Sequence, residues 1–213
     1  TNSYGAPGHR RLPIIDRAGG AQPLANEDDT CWIVFNGEIY NHRALRQRLR
    51  AHGHVFRTSS DTEVIVHAYE QYGTDCIGML EGMFAFALLD TRRRELVIAR
   101  DRIGKKPLFY AEFDGVLHFA SEVKALRQSP AWNGELDLAG LEGYLSLGYF
   151  IAPGTIYRHV RQLLPGHFLV ARPGGAVTQK YWDVEEFDTD HRAPAQITRE
   201  LTDTISAAVS DRL

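Results

Sequence analysis

Between Gly82 and Asp90 the chain reads Met-Phe-Ala-Phe-Ala-Leu-Leu, without one polar side chain. A run this short is strand length, too short for a typical helix. Side chains of a strand alternate between its faces, so Phe84, Phe86 and Leu88 share one face and Ala85, Ala87 and Leu89 the other. Both faces are therefore apolar, and a strand apolar on both faces has to be covered on both. Whatever this chain folds into, it is layered on either side of residues 83–89.

The flanking sequence supplies the other layers. Glu95–Ala99, Leu108–Glu112 and Val116–Ala120 read as short strands separated by turns, which together imply a meander, and Phe168–Ala171 and Val177–Tyr181 add two more. Helical patterns interrupt them at Ser121–Gln128 and Leu138–Leu147. Upstream, residues 1 to 30 are loop-like apart from a short strand over Leu12–Ile15. Cys31–Phe35 and Ile39–Tyr40 flank Asn36-Gly37, the strongest short hairpin signal. Residues 42–52 place Leu45 and Leu49 on one helical face and turn Arg43, Arg46 and Arg50 outward. A second helix opens on Ser60-Asp61-Thr62-Glu63, a capping-box pattern, and buries Val64, Ala68 and Tyr72 with Ile65 and Tyr69. The sum is an α+β layered domain with mainly antiparallel sheets.

Composition narrows function mainly by exclusion. A formal charge of −3 gives no electrostatic reason to expect nucleic acid or an anionic membrane. The basic run Arg92-Arg93-Arg94 sits between two strands and reads as a solvated turn. No apolar stretch approaches a membrane span, and Cys31 and Cys76 form neither a metal knuckle nor a disulfide framework, which favours a reducing compartment. His52-Gly53-His54 could touch a metal, but no third ligand stands at a helpful distance in the sequence, so a solvent-facing loop is the expectation. Residues 183–194 are polar and read as a linker. Beyond them Ile197, Leu201, Ile205 and Ala208 recur at helical spacing.

One constellation carries chemistry: Arg11, Asn36-Gly37-Glu38 and Asp61. A guanidinium for a carboxylate and two carboxylates for an ammonium are what holding an amino acid requires. A backbone N–H beside a side-chain amide can in addition stabilise an oxyanion. Each member also has a plain reading. Asn36-Gly37 on local pattern alone is a type I′ turn, Asp61 complements a helix dipole, and Arg11 is a surface arginine beside Arg10.

Longer stretches decide between these readings. Gly8-His9-Arg10-Arg11-Leu12-Pro13-Ile14-Ile15-Asp16, Phe35-Asn36-Gly37-Glu38-Ile39-Tyr40-Asn41 and Ser60-Asp61-Thr62-Glu63-Val64 follow one another in order. So do Gly82-Met83-Phe84-Ala85-Phe86-Ala87, Arg100-Asp101-Arg102-Ile103-Gly104-Lys105-Lys106-Pro107-Leu108, Ala120-Ser121-Glu122-Val123-Lys124-Ala125-Leu126, Leu164-Pro165-Gly166-His167 and Tyr181-Trp182. In this series the chain resembles the class II glutamine amidotransferase domain of glutamine-hydrolysing asparagine synthetases. The resemblance implies an N-terminal-nucleophile (Ntn) hydrolase fold, a four-layer α-β-β-α sandwich of antiparallel sheets over residues 1–182. It implies a linker at 183–194 and, at 195–213, the first helix of a C-terminal synthetase domain.

It also implies roles. Arg11 would bind the α-carboxylate of glutamine, helped by backbone around Leu12, Ile14 and Ile15. Glu38 and Asp61 would hold the α-ammonium, while the Asn36 side chain and the Gly37 N–H would form the oxyanion hole. The family nucleophile is the thiol of an N-terminal cysteine, well upstream of the position equivalent to Arg11. Neither Cys31 nor Cys76 occupies that place, and Thr1 stands in a turn-rich context unsuited to it. The chain as written is thus expected to bind glutamine poorly and not to hydrolyse it. No cofactor is expected in this domain, with ATP and Mg²⁺ belonging to the synthetase domain and aspartate as acceptor there. Relatives that amidate surface polysaccharide or peptides, or that keep the domain as a scaffold, are the alternatives. A cytoplasmic location is expected, and the oligomeric state, a homodimer included, is left open.

Overall fold

The computed structural model describes residues 21–185 and 189–210. The expected strand at Leu12–Ile15, and with it Arg11, Leu12, Ile14 and Ile15, lies outside the described residues. The chain divides into two compact units, 1–182 and 183–213.

In the first unit, β1 (Leu24–Ala25), β2 (Cys31–Ile39), β3 (Gly82–Asp90), β4 (Glu95–Arg100), β8 (His167–Arg172) and β9 (Gly175–Lys180) form a six-stranded sheet in the order β1-β2-β3-β4-β8-β9. Among these strands every pairing is antiparallel from β1 to β4, between β4 and β8, and between β8 and β9. A second, three-stranded sheet has the order β6-β5-β7, from β5 (Phe109–Phe113), β6 (Val116–Ala120) and β7 (Val160–Gln162). The expected meander is therefore split. β4 does not continue into β5 but pairs with β8, because β8 offers an apolar partner in register from Leu96↔Ala171 to Ala99↔Phe168.

The doubly apolar run occupies β3 at the middle of the larger sheet, as its composition demands. Phe84, Phe86 and Leu88 pack with Leu45 and Leu49 of α1 (His42–Ala51) and with Val64, Ile65 and Ala68 of α2 (Asp61–Tyr72). Ala85 and Ala87 turn the other way, onto Leu108 and Leu163 and against Tyr110, Leu117 and Phe119 of the smaller sheet. The outer face of that smaller sheet is covered by Leu126 and Val123 of α4 (Val123–Leu126), with Trp132 and Tyr157. Helices, sheet, sheet and helix thus form four layers. The helix expected over Ser121–Gln128 is reduced to the single turn of α4. α3 (Cys76–Met79) is also one turn, and α5 (Leu138–Leu147) follows its sequence pattern, with Gly148 in the left-handed conformation as its C-cap.

α2 is buried along all of Asp61–Tyr69, so it is a core helix and not an amphipathic surface one. In the second unit, α6 (Pro194–Ser210) leaves Leu201, Ile205 and Val209 exposed among the described residues. No helix of the described residues is long and apolar enough to cross a membrane.

Candidate functional site at the open edge of a strand

Asn36-Gly37 is not a turn. β2 runs unbroken through it from Cys31 to Ile39, paired with β3 throughout, with Asn36 opposite Ala85 and Gly37 opposite Phe84. The glycine is required for close approach, not for a reversal. At φ +152°, a Cβ on Gly37 would stand 2.0 Å from the Met83 carbonyl oxygen and 2.8 Å from Phe84 Cα. Across the ladder, a Cβ on Gly82 would meet the Glu38 carbonyl at 2.1 Å. Two glycines therefore let two backbones pass closer than side chains permit.

Strand parity then places the groups. Phe35 and Ile39 both enter the helix-side core, and Val34 enters the core between the sheets. Asn36 and Glu38 consequently share the face of Val34, directed to the inter-sheet space. The N–H groups of alternate residues point to one edge. The Phe35 N–H donates to Gln22 Oε1 at 2.6 Å and the Ile39 N–H to Asp61 Oδ2 at 3.0 Å, both away from β3. By the same alternation the Gly37 N–H points to that edge between them.

Asp61 reaches this edge as the first residue of α2 and is 2% exposed. Its approach is held by groups the sequence did not single out for the purpose. Arg46, expected to face outward, lies over the Phe56 ring, with Cζ 4.3 Å from the centroid. Its guanidinium donates to the carbonyls of Thr58 at 2.6 Å and Ser60 at 2.8 Å. Glu63 does not complete the expected capping box. The Ser60 hydroxyl accepts from the Thr62 N–H at 3.2 Å, but the Glu63 carboxylate turns to the N–H groups of Arg57 (2.6 Å) and Thr58 (2.8 Å) and the Thr58 hydroxyl (2.7 Å). Residues 57–60 are thus clamped from both sides, which fixes where Asp61 emerges. Burial alone would raise the Glu63 pKa. The His67 imidazole and the donors of Arg57 and Thr58 outweigh it and hold the carboxyl down at about 2.

The opposite strand is fixed similarly. Asp101, fully buried, accepts from the N–H groups of Phe84 (3.2 Å), Lys105 (2.8 Å) and Lys106 (2.9 Å). Arg100 donates to the carbonyls of Gly104, Lys106 and Leu163. The Arg-Asp pair therefore ties the 102–107 turn to the segment of β3 that faces Gly37. The Asp101 carboxylate and the Arg100 guanidinium thereby satisfy the backbone groups of this turn.

Both cysteines are buried and unpaired, Cys31 in β2 and Cys76 in α3. Burial first, then nearby carboxylates, pushes each thiol up to about 12. Such thiols are structural, not nucleophilic.

Asn36, Gly37 and Glu38 thus follow one another on β2, and Asp61 meets the same strand at the Ile39 N–H, along an edge that β1 covers only at Trp32 and Ile33 among the described residues. The four layers of helices and antiparallel sheets are those that the sequence resemblance implies. The chain belongs to the glutamine amidotransferase domain family, whose model matches residues 2–182. It is 42% identical to asparagine synthetase [glutamine-hydrolyzing] 3 of Bacillus subtilis over 181 residues, 84% of this chain and 30% of that protein. It is 39% identical to asparagine synthetase [glutamine-hydrolyzing] 1 of the same organism over 203 residues, 95% of this chain and 32% of that protein. The chain thus spans about a third of the length of these relatives. In fold it is similar to the glutamine phosphoribosylpyrophosphate amidotransferase of B. subtilis, with a TM-score of 0.53 at 24% identity, over 76% of this chain and 32% of that one. It is likewise similar to an allosteric regulatory enzyme of purine biosynthesis, with a TM-score of 0.56 at 23% identity over 81% and 34% of the two chains.

Proposed function

We propose that this chain is the glutamine-handling domain of a glutamine-hydrolysing asparagine synthetase. The observation that supports the reading is that Asp61 meets β2 at the Ile39 N–H, beside Asn36-Gly37-Glu38, with the Gly37 N–H directed to the edge where the Phe35 and Ile39 N–H groups are already capped. Glu38 and Asp61 hold the α-ammonium of glutamine, and Arg11, with backbone around Leu12, Ile14 and Ile15, holds its α-carboxylate. The side-chain carbonyl of the substrate then lies against the Gly37 N–H and the Asn36 amide. When a thiol attacks that carbonyl carbon, negative charge gathers on the oxygen, and these two donors are positioned to stabilise it. The C–N bond breaks as the thiol's proton passes to the leaving nitrogen, ammonia departs, and water hydrolyses the remaining thioester to glutamate and the free thiol.

Cys31 and Cys76 are buried, with thiols pushed up to about 12, and do not supply that thiol; in the family this chain resembles, it is the thiol of an N-terminal cysteine. The ammonia passes to a synthetase domain that uses ATP and Mg²⁺ to amidate aspartate. The likeness to asparagine synthetases about three times this length supports that arrangement. The test is steady-state glutamine hydrolysis by the full-length protein beside an Asn36→Ala variant. The variant is expected to lose about 10²-fold or more in kcat with a small change in KM. An unchanged kcat would remove Asn36 from the oxyanion hole.

A further inference from the structure

Nearly two turns along α2 from Asp61, a group of side chains gathers that glutamine chemistry does not use. His54, in the loop between α1 and α2, and His67 and Glu70 of α2 each offer one donor atom, all within 4.8 Å of one another. The sequence offered no third ligand for the His52-Gly53-His54 segment. The fold supplies two, because residues at i and i+3 of α2 share a face and the loop folds back over it. The His54 and His67 ring centroids are 5.0 Å apart. Beside them lies a surface pocket of about 260 Å³, lined by Glu27, Gly53, His54, Val55 and Glu70.

The hydrogen bonds fix what each ring presents. His54 Nε2 stands 3.1 Å from Gln71 Oε1, and its Nδ1 faces Glu70 Oε2 at 3.7 Å. An imidazole nitrogen and a carboxylate oxygen at this spacing can share a cation, a proton or a metal ion. His67 is 1% exposed, and its Nδ1–H donates to the same Glu70 oxygen at 2.7 Å, a proton that an ion bound there would displace. Its Nε2 is buried without a hydrogen-bond partner among the described residues, with Glu27 Oε1 at 3.5 Å and Glu63 Oε1 at 3.8 Å behind it. A metal-bound imidazole ordinarily sets its second nitrogen against a carboxylate, and two stand there. Bond lengths of about 2.0–2.2 Å place donors around a tetrahedral ion roughly 3.3–3.6 Å apart. The His54–Glu70 spacing is near that value, and the His67–Glu70 pair has to open by roughly 0.7 Å to reach it.

We propose that His54, His67 and Glu70 bind a divalent transition-metal ion of zinc-like character, with the fourth position open to the pocket. Two imidazoles and one carboxylate select such an ion over magnesium or calcium, which prefer all-oxygen shells. The ion would pin the loop at His54 to α2 and act as a structural tie.

The experiment is titration of Co²⁺ into tag-free, chelator-treated full-length protein, followed by visible absorption, with Zn²⁺ displacing it. One Co²⁺ per chain with the intense bands of a tetrahedral site is expected. His54→Ala and Glu70→Gln should each weaken binding by about tenfold or more, while His52→Ala should not. His67→Asn has the greatest chance of failing to fold, so the peripheral His54 variant decides, with circular dichroism confirming its fold. Absence of saturable binding, or wild-type affinity in both His54→Ala and Glu70→Gln, overturns the site and leaves a His67 imidazole held by carboxylates alone. Either result is independent of glutamine hydrolysis, which the same preparations report separately.

Discussion

At the scale of single residues, Gly37 is the position that tolerates least. An alanine there meets the Met83 carbonyl oxygen at 2.0 Å in a backbone conformation that side chains rarely adopt. Neither strand can move aside, because Phe84 is tied to Asp101 and Ile39 to Asp61. Gly37→Ala is expected to cost about 3 kcal/mol or more in chemical denaturation, and wild-type stability would contradict the close approach described here. The sequence showed this glycine and its neighbour but assigned the wrong local reason to them. Asn-Gly is the commonest turn dipeptide, and nothing within a few residues distinguishes a turn from a strand that passes close to its partner. The distinction lies in Met83 and Phe84, far along the chain. Only the longer motif order, not the dipeptide, pointed to chemistry at this position.

At the scale of elements, the segment that delivers Asp61 depends on two clamps. Arg46→Ala frees the carbonyls of Thr58 and Ser60 and is expected to cost about 2 kcal/mol of stability. It should also raise KM for glutamine several-fold while lowering kcat less, since it acts through Asp61. Lysine should not rescue it, because an ammonium cannot span two carbonyls as the guanidinium fork does. A wild-type KM in Arg46→Ala would remove it from the positioning role. Glu63 gives the same segment a dependence on pH. Its pKa is depressed from 4.5 to about 2, so the stability it contributes is complete above about pH 4.5 and is lost as pH falls through 2. Glu63→Gln should flatten the denaturation midpoint across that acid window and lower it at neutral pH, by up to about 3 kcal/mol. An unaltered acid limb would contradict the assignment. The capping-box spelling correctly located the start of α2 but not the use of Glu63. Arginine spacing put Arg46 on the polar face of α1, and only the fold shows that this face meets the loop before Asp61.

At the scale of the whole molecule, the layering was legible because β3 carries apolar residues on both faces, and that alone requires cover on each side. The helical face with Leu45 and Leu49, and the strands at β4, β5, β6, β8 and β9, followed from local periodicity. Sheet membership did not. Whether β4 pairs with β5 or with β8 is decided by long-range register between Leu96–Ala99 and Phe168–Ala171, which local patterns do not encode. The same limit hid His67 and Glu70, the groups that join His54, which both arrive from α2. Under the proposed function, the layers hold the Asn36 face of β2, its edge and the start of α2 together, so that an ammonium, a carbonyl oxygen and a nucleophile can meet there. The most direct test is a crystal structure of the full-length protein with glutamate bound. The α-ammonium is predicted within hydrogen-bond distance of both Glu38 and Asp61, with the side-chain carboxyl against the Gly37 N–H. Glutamate seated elsewhere, or with its carboxylate turned toward Asp61, would contradict the account.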